Sequence, residues 1–187
     1  KLMPDRIEAG TYLILGASSS GSGVTVKNMN PHHVRSLLDL LSEIGCELIV
    51  NEDSVFIKSN DTLKPFHVEV GPYPAFPTDL QQPLCSLMTQ IEGTSSVKET
   101  IFHNRFSQIP ELSKMNANIY LQDNTIYVTG ITNLTPSHVI AYDLRGAASL
   151  VIAAALCDGT TIIENIEVFF RGYEKPVEKL AKLNITA

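Results

Sequence analysis

The sequence predicts one mixed α/β domain that is built from three repeated units of βαβαββ type. Three glycines in similar surroundings mark the repeat, since Gly23, Gly93 and Gly159 follow one another at nearly equal intervals. An apolar stretch with helical character precedes each glycine, and a β-branched stretch follows it. The three units cover approximately residues 1–63, 64–132 and 133–187.

Each unit repeats the same order of helical and extended patterns. The first helix of each unit is an apolar stretch, at 7–17, 80–88 and 144–156. A short strand follows each glycine, at 24–26, 95–97 and 161–163. A second helix has apolar residues three and four positions apart, at 34–41, 109–115 and 177–183. Asn116 and Asn184 follow their helices where Gly45 follows the first, because Asn accepts the positive φ of a helix C-cap.

Two strands separated by a turn close the first and the second unit. They lie at 47–50 and 55–57 in the first unit, and at 118–121 and 126–128 in the second. Asp53 and the Asp123-Asn124 pair supply turn residues, so each strand pair is predicted to form a hairpin. The third unit has no such pair. We expect its closing strands to come from a part of the parent protein outside this sequence.

Composition and charge exclude several classes of protein. Hydrophobic residues make up 44% of the 187 residues, which is enough for a compact core and argues against disorder. The net charge of −6 argues against a nucleic-acid or anionic-membrane partner, since both favour a basic surface. The longest apolar run, 150–157, is far shorter than the ~20 residues that span a bilayer, so we expect no membrane anchor.

The cysteines and histidines predict neither a disulfide framework nor a metal site. Cys46, Cys85 and Cys157 are odd in number and lie among apolar residues, which predicts reduced, buried thiols in a cytoplasmic protein. The five histidines lack the spacing of metal ligands. The segment 18–23 resembles a phosphate-binding loop, but it follows a helix and precedes a strand, the reverse of the order that such a loop requires. We interpret it as a connector.

Two aspartates stand at the beginning of apolar helices. Thr78-Asp79-Leu80-Gln81 fits a capping box, in which Thr78 caps the helix and Gln81 bonds back to the Thr78 backbone N–H. Asp143 precedes a helix that starts near Leu144 and fits an N-cap. Both carboxylates therefore have a structural interpretation as acids at a helix terminus, besides the interpretation as groups that transfer a proton.

Two arginines recur at matching positions of the repeat. Arg105 and Arg171 follow the Gly-Thr pairs that begin at Gly93 and Gly159, and the spacing is the same in both units. Each arginine precedes a second helix and lies beside aromatic residues. A guanidinium binds two oxygens of a carboxylate or phosphate, so arginines at equivalent corners can converge on a small anion. The alternative is structural pairing with Glu99 or Glu174. Aspartates and arginines in register favour a site that binds anions and moves a proton.

Several longer motifs resemble those of the enolpyruvyl transferases. The resemblance runs nearly end to end and rests on residues 4–11, 74–81, 99–102, 104–106, 109–112, 143–145, 148–150 and 171–174. The related enzyme of the shikimate pathway shares the fold and the reaction type but not the Phe-Pro-Thr-Asp and Asp-Leu-Arg sequences that end at Asp79 and Arg145. Two positions depart from the family pattern, since Gln108 replaces a common His and Phe170 replaces an Asp before the Arg-Gly-Tyr sequence.

The resemblance implies a fold and a reaction. The fold is an inside-out α/β barrel of three units, with a second similar domain that this chain does not contain. The reaction transfers the enolpyruvyl group from phosphoenolpyruvate to the 3-hydroxyl of UDP-N-acetylglucosamine and releases phosphate. It is the first committed step of peptidoglycan synthesis, takes place in the cytoplasm and needs no metal or organic cofactor. The alternatives are the shikimate-pathway reaction and a non-catalytic module that binds anions.

The resemblance also implies roles for individual residues. It implies that Asp79 takes the proton of the 3-hydroxyl, that Asp143 lies beside the reacting carbon, and that Ile101 contacts the sugar nucleotide through its backbone. Three arginines bind the carboxylate and the phosphate of phosphoenolpyruvate, in an order that stays open: Arg105, Arg145 and Arg171. The catalytic cysteine of the family belongs to the partner domain, so we expect this chain alone to be inactive.

Overall fold

A computed structural model describes residues 2–60 and 62–185 and confirms the predicted order of elements. The first unit contains α1 (Arg6–Ser18), β1 (Val24–Lys27), α2 (Arg35–Glu43), β2 (Glu47–Val50) and β3 (Ser54–Lys58). The second contains β4 (His67–Glu69), α3 (Gln81–Met88), β5 (Gly93–Lys98), α4 (Gln108–Lys114), β6 (Ile119–Gln122) and β7 (Thr125–Gly130). The third contains β8 (His138–Ile140), α5 (Leu144–Ala155), β9 (Ile162–Glu164), α6 (Glu167–Phe170) and α7 (Pro176–Ala181). The outer ends of the predicted units, Lys1 and Ala187, lie outside the described residues.

The strands form one sheet in each unit of this mixed α/β fold. The first sheet has the order β1-β3-β2 and is antiparallel. The second has the order β4-β5-β7-β6, in which β4 is parallel to β5 and the other pairs are antiparallel. The third pairs β8 with β9 in parallel. β5 has an antiparallel neighbour, as β1 does, and a parallel neighbour, as β9 does.

One helix from each unit forms the centre of the domain. α1, α3 and α5 contact one another and are buried over most of their length. Ser86 of α3 donates a hydrogen bond to the backbone carbonyl of Ser149 in α5 at 2.7 Å. Gly10 lets α1 approach the start of α3, since a Cβ at this position would lie 2.6 Å from Leu80 Cδ1. This packing brings the first turns of the three helices to one end of the domain.

The helix starts differ in how their backbone N–H groups are satisfied. Asp5 caps α1 by accepting from the N–H groups of Ile7 and Glu8. The capping box predicted at Thr78 is wrong, because a 3₁₀ turn (Thr78–Leu80) precedes α3 and no side chain caps it. The Thr78 hydroxyl is engaged elsewhere, and the Gln81 amide is buried without a hydrogen-bond partner among the described residues.

The two predicted hairpins are confirmed, and the second turns through left-handed residues. β2 pairs with β3, and β6 pairs with β7 through Asp123 (φ 48°) and Asn124 (φ 59°). Asn116 (φ 72°) and Asn184 (φ 60°) also have positive φ after their helices, like Gly45 (φ 109°). Within the described residues, the third unit contains no hairpin, as the sequence predicted.

Candidate functional site

The centre of the candidate site is a carboxylate held between two guanidinium groups. Arg105 Nη2 lies 2.6 Å from Asp79 Oδ1, and Arg145 Nη2 lies 3.2 Å from Asp79 Oδ2, so each carboxylate oxygen has its own cation. The side chains of Asp79, Arg105 and Arg145 are 35%, 21% and 12% exposed. These three residues are termed the Asp79 cluster. With two cations and one anion, the cluster is locally positive although the whole chain is acidic.

Three separate segments bring the Asp79 cluster together. Asp79 belongs to the 3₁₀ turn that leads into α3, Arg145 lies in the first turn of α5, and Arg105 lies in the loop between β5 and α4. Because α3 packs against α5, the first turns of both helices are adjacent. Asp79 and Arg145 are 66 residues apart in sequence, so the site joins two helix starts that are distant along the chain.

The partners of Asp79 lower the pKa of its carboxyl group. Partial burial is the largest single influence and raises the pKa, because burial disfavours the charged form. The charge of Arg145, together with the hydrogen bond and the charge of Arg105, outweighs burial, and the pKa falls below the ordinary value of 3.8. Asp79 is therefore ionised at neutral pH. It is a weak proton acceptor as long as both guanidiniums stay in place.

Arg105 is held by a hydroxyl group and an aromatic ring in addition to Asp79. Its Nη1 donates to Thr78 Oγ1 at 3.1 Å, and its guanidinium carbon lies 4.9 Å from the centre of the Phe102 ring. Thr78 donates in turn to Glu99 Oε2 at 2.6 Å. The alternative of direct pairing between Arg105 and Glu99 is therefore replaced by an indirect connection through Thr78.

Arg145 is anchored to α1 through two hydroxyl groups. Its Nη1 donates to the Tyr173 hydroxyl at 3.4 Å, and this hydroxyl lies 2.8 Å from Thr11 Oγ1. Because Thr11 donates its own hydrogen to the Ile7 carbonyl at 2.9 Å, Tyr173 acts as the donor to Thr11. Burial raises the pKa of Tyr173 more than its contacts with Thr11 and Arg145 lower it, so the phenol stays protonated. These contacts connect the first and third units to the Asp79 cluster.

Asp143 lies beside the Asp79 cluster but is held by uncharged donors. Its Oδ1 accepts from the backbone N–H groups of Arg145 and Gly146 at 3.0 and 2.9 Å, which confirms the predicted N-cap. Its Oδ2 accepts from the Ser107 hydroxyl and, at 3.4 Å, from Gln82 Nε2. Burial raises the pKa of Asp143, but these hydrogen bonds outweigh burial and the pKa is lowered. Asp143 thereby fixes the turn of α5 on which Arg145 stands.

The two departures from the family pattern have different surroundings. Gln108 is buried, accepts from Gln82 Nε2 at 3.0 Å, and has its own Nε2 3.5 Å from the Cys85 sulfur. It belongs to the polar network behind Asp143. Phe170 is exposed, and its ring is tilted against Phe169.

A cavity of about 390 Å³ opens beside Asp79. Ile101 and Phe102 line one part of it, and Arg6 and Tyr73 line another. The Arg6 guanidinium carbon lies 5.0 Å from the centre of the Tyr73 ring. None of the ion pairs among the described residues includes Arg6. Arg6 is therefore the cation in the lining of this cavity, whereas Arg105 and Arg145 reach it only through their contacts with Asp79.

Arg171 stands apart from the contacts of the Asp79 cluster. It is an exposed residue at the C-terminal end of α6, and its side chain makes no ion pair within the described part of the chain. The alternative of pairing with Glu174 is not observed, since the Glu174 carboxylate lies 3.8 Å from Lys179 Nζ. The structure thus joins three of the predicted arginine and aspartate residues directly and places Asp143 next to them. No hydrogen bond or ion pair between described residues joins the Arg171 side chain to this group.

The sequence did not identify three residues that complete the site, Arg6, Tyr73 and Tyr173, and it named a fourth, Glu99, only as a structural partner of an arginine. Arg6, Glu99 and Tyr173 lie in segments that carry the family resemblance, which was the available signal. Tyr73 lies just outside those segments. Its role depends on the position of Arg6, which belongs to the preceding unit of the repeat and is close only in the folded domain.

The thiols and the remaining acids suggest no further chemistry at this site. All three cysteines are free, and burial raises the pKa of Cys46 to about 11 and of Cys85 to about 12. The prediction of buried thiols is confirmed for these two, whereas Cys157 is partly exposed. No group of three or more His, Cys, Asp or Glu within residues 2–60 and 62–185 is arranged to hold a metal ion. Over the same residues, no helix has the length and apolar character needed to cross a membrane.

The family of the chain follows from its match to a known family profile. The family described as EPSP synthase (3-phosphoshikimate 1-carboxyvinyltransferase) matches residues 1–180. The chain therefore belongs to this family of enolpyruvyl (carboxyvinyl) transferases, as the motifs around Asp79 and Arg145 indicated.

Curated relatives of the chain carry the name of one particular transferase. UDP-N-acetylglucosamine 1-carboxyvinyltransferase 2 of Listeria monocytogenes serotype 4b (strain F2365) is 42% identical over 187 residues, which are 99% of this chain and 44% of the relative. The enzyme of the same name from Bacillus cereus is 45% identical over 182 residues, 97% of this chain and 42% of the relative. The chain therefore spans less than half the length of the curated relatives that it matches.

Solved structures agree with the family assignment. The enolpyruvyl transferase NikO from Streptomyces tendae superposes with a TM-score of 0.88 at 28% identity, over 97% of this chain and 43% of that one. EPSP synthase from Acinetobacter baumannii superposes with a TM-score of 0.74 at 16% identity, over 97% of this chain and 46% of that one. The second likeness concerns the fold alone.

Proposed function

We propose that the full-length protein transfers the enolpyruvyl group from phosphoenolpyruvate to the 3-hydroxyl of UDP-N-acetylglucosamine. The Asp79 cluster is the observation that carries the proposal. It presents a carboxylate for proton transfer, which lines the cavity, and two guanidiniums for anion binding, which contact that carboxylate. The curated relatives that are named for this substrate and reaction support the same choice. In the cell, the reaction is the first committed step of peptidoglycan synthesis and belongs to the cytoplasm.

The reaction consists of an addition followed by an elimination. In the addition, the 3-oxygen of the sugar bonds to C2 of phosphoenolpyruvate, the hydroxyl proton goes to a base, and C3 takes up a proton. In the elimination, the bond between C2 and the phosphate oxygen breaks and C3 loses a proton, which leaves the enol ether and free phosphate. These steps need a base, an acid and cations, all of which side chains can supply without a metal or an organic cofactor.

Asp79 serves as the base, and the arginines bind the anions. In the free protein, Asp79 itself occupies both guanidiniums and is a poor base. A carboxylate or phosphate of phosphoenolpyruvate that binds Arg105 and Arg145 competes with Asp79 for the same donors. Removal of these partners raises the proton affinity of Asp79 at the moment when the substrate is in place. Ligand binding and activation of the base are thereby coupled.

The other predicted residues take supporting positions in this proposal. Asp143 lies beside the reacting carbon, and Ile101 contacts the sugar nucleotide from the cavity wall. Arg171 binds phosphoenolpyruvate together with the other two arginines, and its side chain, which makes no ion pair within the described residues, is available for this role.

We further propose that this chain is one domain, 1–187, of a two-domain enzyme. Its units pack as an inside-out barrel, supported by three central helices surrounded by three sheets. The coverage of 44% of a relative leaves room for a second domain of similar size, which supplies the catalytic cysteine and the opposite wall of the site. The edge of β9 that pairs with no strand among the described residues accepts the hairpin expected for the third unit. The chain alone is then expected to bind anions without turnover.

Phosphate release by the full-length protein tests the proposed function. We expect release from phosphoenolpyruvate only when UDP-N-acetylglucosamine is also present. The isolated 1–187 chain should release none under the same conditions. Release with shikimate 3-phosphate in place of the sugar nucleotide would support the shikimate-pathway alternative. Absence of release with either acceptor, together with calorimetric binding of phosphoenolpyruvate, would support the non-catalytic anion-binding module.

A further inference from the structure

Glu99 is a buried carboxylate whose hydrogen bonds lead both to the Asp79 cluster and to the wall of the neighbouring cavity. It is 1% exposed and lies directly after β5. Its Oε2 accepts the hydrogen bond of Thr78 Oγ1 at 2.6 Å. Its Oε1 accepts the backbone N–H groups of Ile101 and Phe102 at 2.8 and 3.1 Å. The two oxygens therefore serve two different segments.

The first oxygen of Glu99 controls the orientation of the Thr78 hydroxyl. A hydroxyl group has one hydrogen and two lone pairs. Because Thr78 gives its hydrogen to Glu99, only its lone pairs face Arg105, which donates to Thr78 Oγ1 at 3.1 Å. Glu99 thereby makes Thr78 an acceptor for a guanidinium of the Asp79 cluster.

The second oxygen of Glu99 holds the backbone of the cavity wall. Ile101 and Phe102 line the cavity beside Asp79. Both are exposed, so packing contributes little to their position, and the two bonds to Glu99 supply a fixed attachment. The Phe102 ring also lies against the Arg105 guanidinium, at 4.9 Å. Movement of this segment would therefore disturb Arg105 as well.

We propose that Glu99 is a positioning residue with two contacts. Through Thr78 it orients Arg105, and through the backbone of residues 101–102 it holds the part of the cavity wall that contacts the sugar nucleotide. The inference rests on the proposed function, because it assigns the contact with Thr78 to the binding of one substrate and the contact with residues 101–102 to the binding of the other. Burial of a carboxylate is unfavourable unless its oxygens are hydrogen-bonded, and all of the hydrogen bonds that Glu99 accepts from described residues lead to the candidate site. One side chain thus aligns the binding of phosphoenolpyruvate with the binding of UDP-N-acetylglucosamine.

Glu111 offers a matched control for a purely structural role. It is 2% exposed and, like Glu99, accepts a backbone N–H, that of Ile140 at 2.9 Å. Its other partner is Lys114, at 2.8 Å. Neither partner belongs to the Asp79 cluster or lines its cavity. Loss of a buried carboxylate in general should therefore affect Glu99→Gln and Glu111→Gln equally.

Steady-state kinetics of the full-length protein separate the effect of Glu99 on Arg105 from its effect on residues 101–102. In Glu99→Gln, the amide oxygen still accepts the backbone N–H groups of residues 101 and 102. The amide NH2 group replaces the oxygen that accepts the hydrogen bond of Thr78. We expect KM for phosphoenolpyruvate to rise about tenfold and KM for UDP-N-acetylglucosamine and kcat to change less than about twofold. The reason is that phosphoenolpyruvate is bound more weakly in the ground state and the transition state alike, while the contact with residues 101–102 is kept. In Glu99→Ala, both KM values should rise about tenfold. Glu111→Gln should change neither KM.

A double-mutant cycle with Thr78→Val tests the route to Arg105. If Glu99 acts through Thr78, the Glu99→Gln/Thr78→Val protein has the same KM for phosphoenolpyruvate as either single variant. Additive effects, or an unchanged KM in folded Glu99→Gln, would overturn the inference. Should Glu99→Ala fail to fold, the Gln variant and the cycle decide the result. Absence of turnover in the wild-type protein would count against the proposed function and not against Glu99.

Discussion

Asp79 and Asp143 are two carboxylates at helix starts with depressed pKa values and different physical causes. Asp79 is stabilised by the charges of Arg105 and Arg145. Asp143 is stabilised by uncharged donors, namely the Ser107 hydroxyl, the Gln82 amide and two backbone N–H groups. The same direction of pKa shift therefore arises from ion pairing in one case and from hydrogen bonding in the other.

The difference indicates which carboxylate a ligand can influence. A bound anion can take the guanidiniums from Asp79, because the cations sit on long side chains of other segments. It cannot take the backbone N–H groups of α5 from Asp143 without unwinding the first turn of the helix. Asp79 is thus suited to change its proton affinity during a reaction, whereas Asp143 is suited to hold Arg145 in place.

The largest expected effect is the loss of turnover in Asp79→Asn. The amide keeps the size of the side chain but removes the base, so kcat for phosphate release should fall about 10²–10⁴-fold. The matched control is Asp39→Asn, since Asp39 is 58% exposed in a surface pair with Arg35 and should retain wild-type turnover. A kcat for Asp79→Asn within about tenfold of wild type would exclude Asp79 as the base.

The next effect concerns stability and distinguishes Asp143 as a cap. Asp143→Ala removes an N-cap and should lower the free energy of unfolding by about 1–2 kcal/mol, whereas Asp143→Asn, which can still cap, should lower it by only a few tenths. Denaturant unfolding of the full-length protein measures both. Asp5→Ala is the control, because Asp5 caps α1 with the same pattern of two backbone N–H groups. Equal losses in Asp143→Ala and Asp143→Asn would mean that charge, not capping, holds α5.

Local patterns predicted most of the fold from the sequence. Glycine spacing and apolar periodicity located the central helices and both hairpins, because these elements are long or bounded by turn residues such as Asp123 and Asn124. The three-residue strands β4 and β8 were expected within the repeat but not located, since three residues carry no clear alternation and neither strand follows a marker glycine, as the equally short β9 does. The capping box at Thr78 failed because tertiary contacts with Glu99 and Arg105 engaged its hydroxyl.

The sequence predicted which residues form the candidate site, but it did not predict most of the contacts between them. The repeat and the motifs identified Asp79, Arg105 and Arg145, which the structure joins. They did not indicate that Asp79 would be the anion bound by both arginines, because pairing depends on the packing of α3 against α5. The roles of Glu99 and Arg6 also arise only from distances between segments far apart in sequence.

A smaller effect is the acid sensitivity that each aspartate contributes. Both folded-state pKa values lie below the ordinary 3.8, so both groups stabilise the fold above this pH. Their contribution is lost as the pH falls from about 3.8 through the lower folded-state pKa. Asp79→Asn and Asp143→Asn should therefore each lower Tm at pH 7 and differ less from wild type at pH 3. A difference from wild type that stays constant between these pH values would show that the carboxylate charge contributes nothing.

The smallest effect, and the most direct test of the two causes, is the response to salt. The Debye length falls from about 10 Å at 0.1 M to about 3 Å at 1 M ionic strength, so salt weakens ion pairs at partly exposed sites. Asp79 is 35% exposed, and the stability difference between wild type and Asp79→Asn should shrink in 1 M NaCl by a few tenths of a kcal/mol. The difference for Asp143→Asn should stay constant, because its partners are uncharged. Equal responses in the two variants, measured by denaturant unfolding at both salt concentrations, would mean that both carboxylates are stabilised in the same way, and the assignment of Asp79 as the ligand-responsive one would lose its basis.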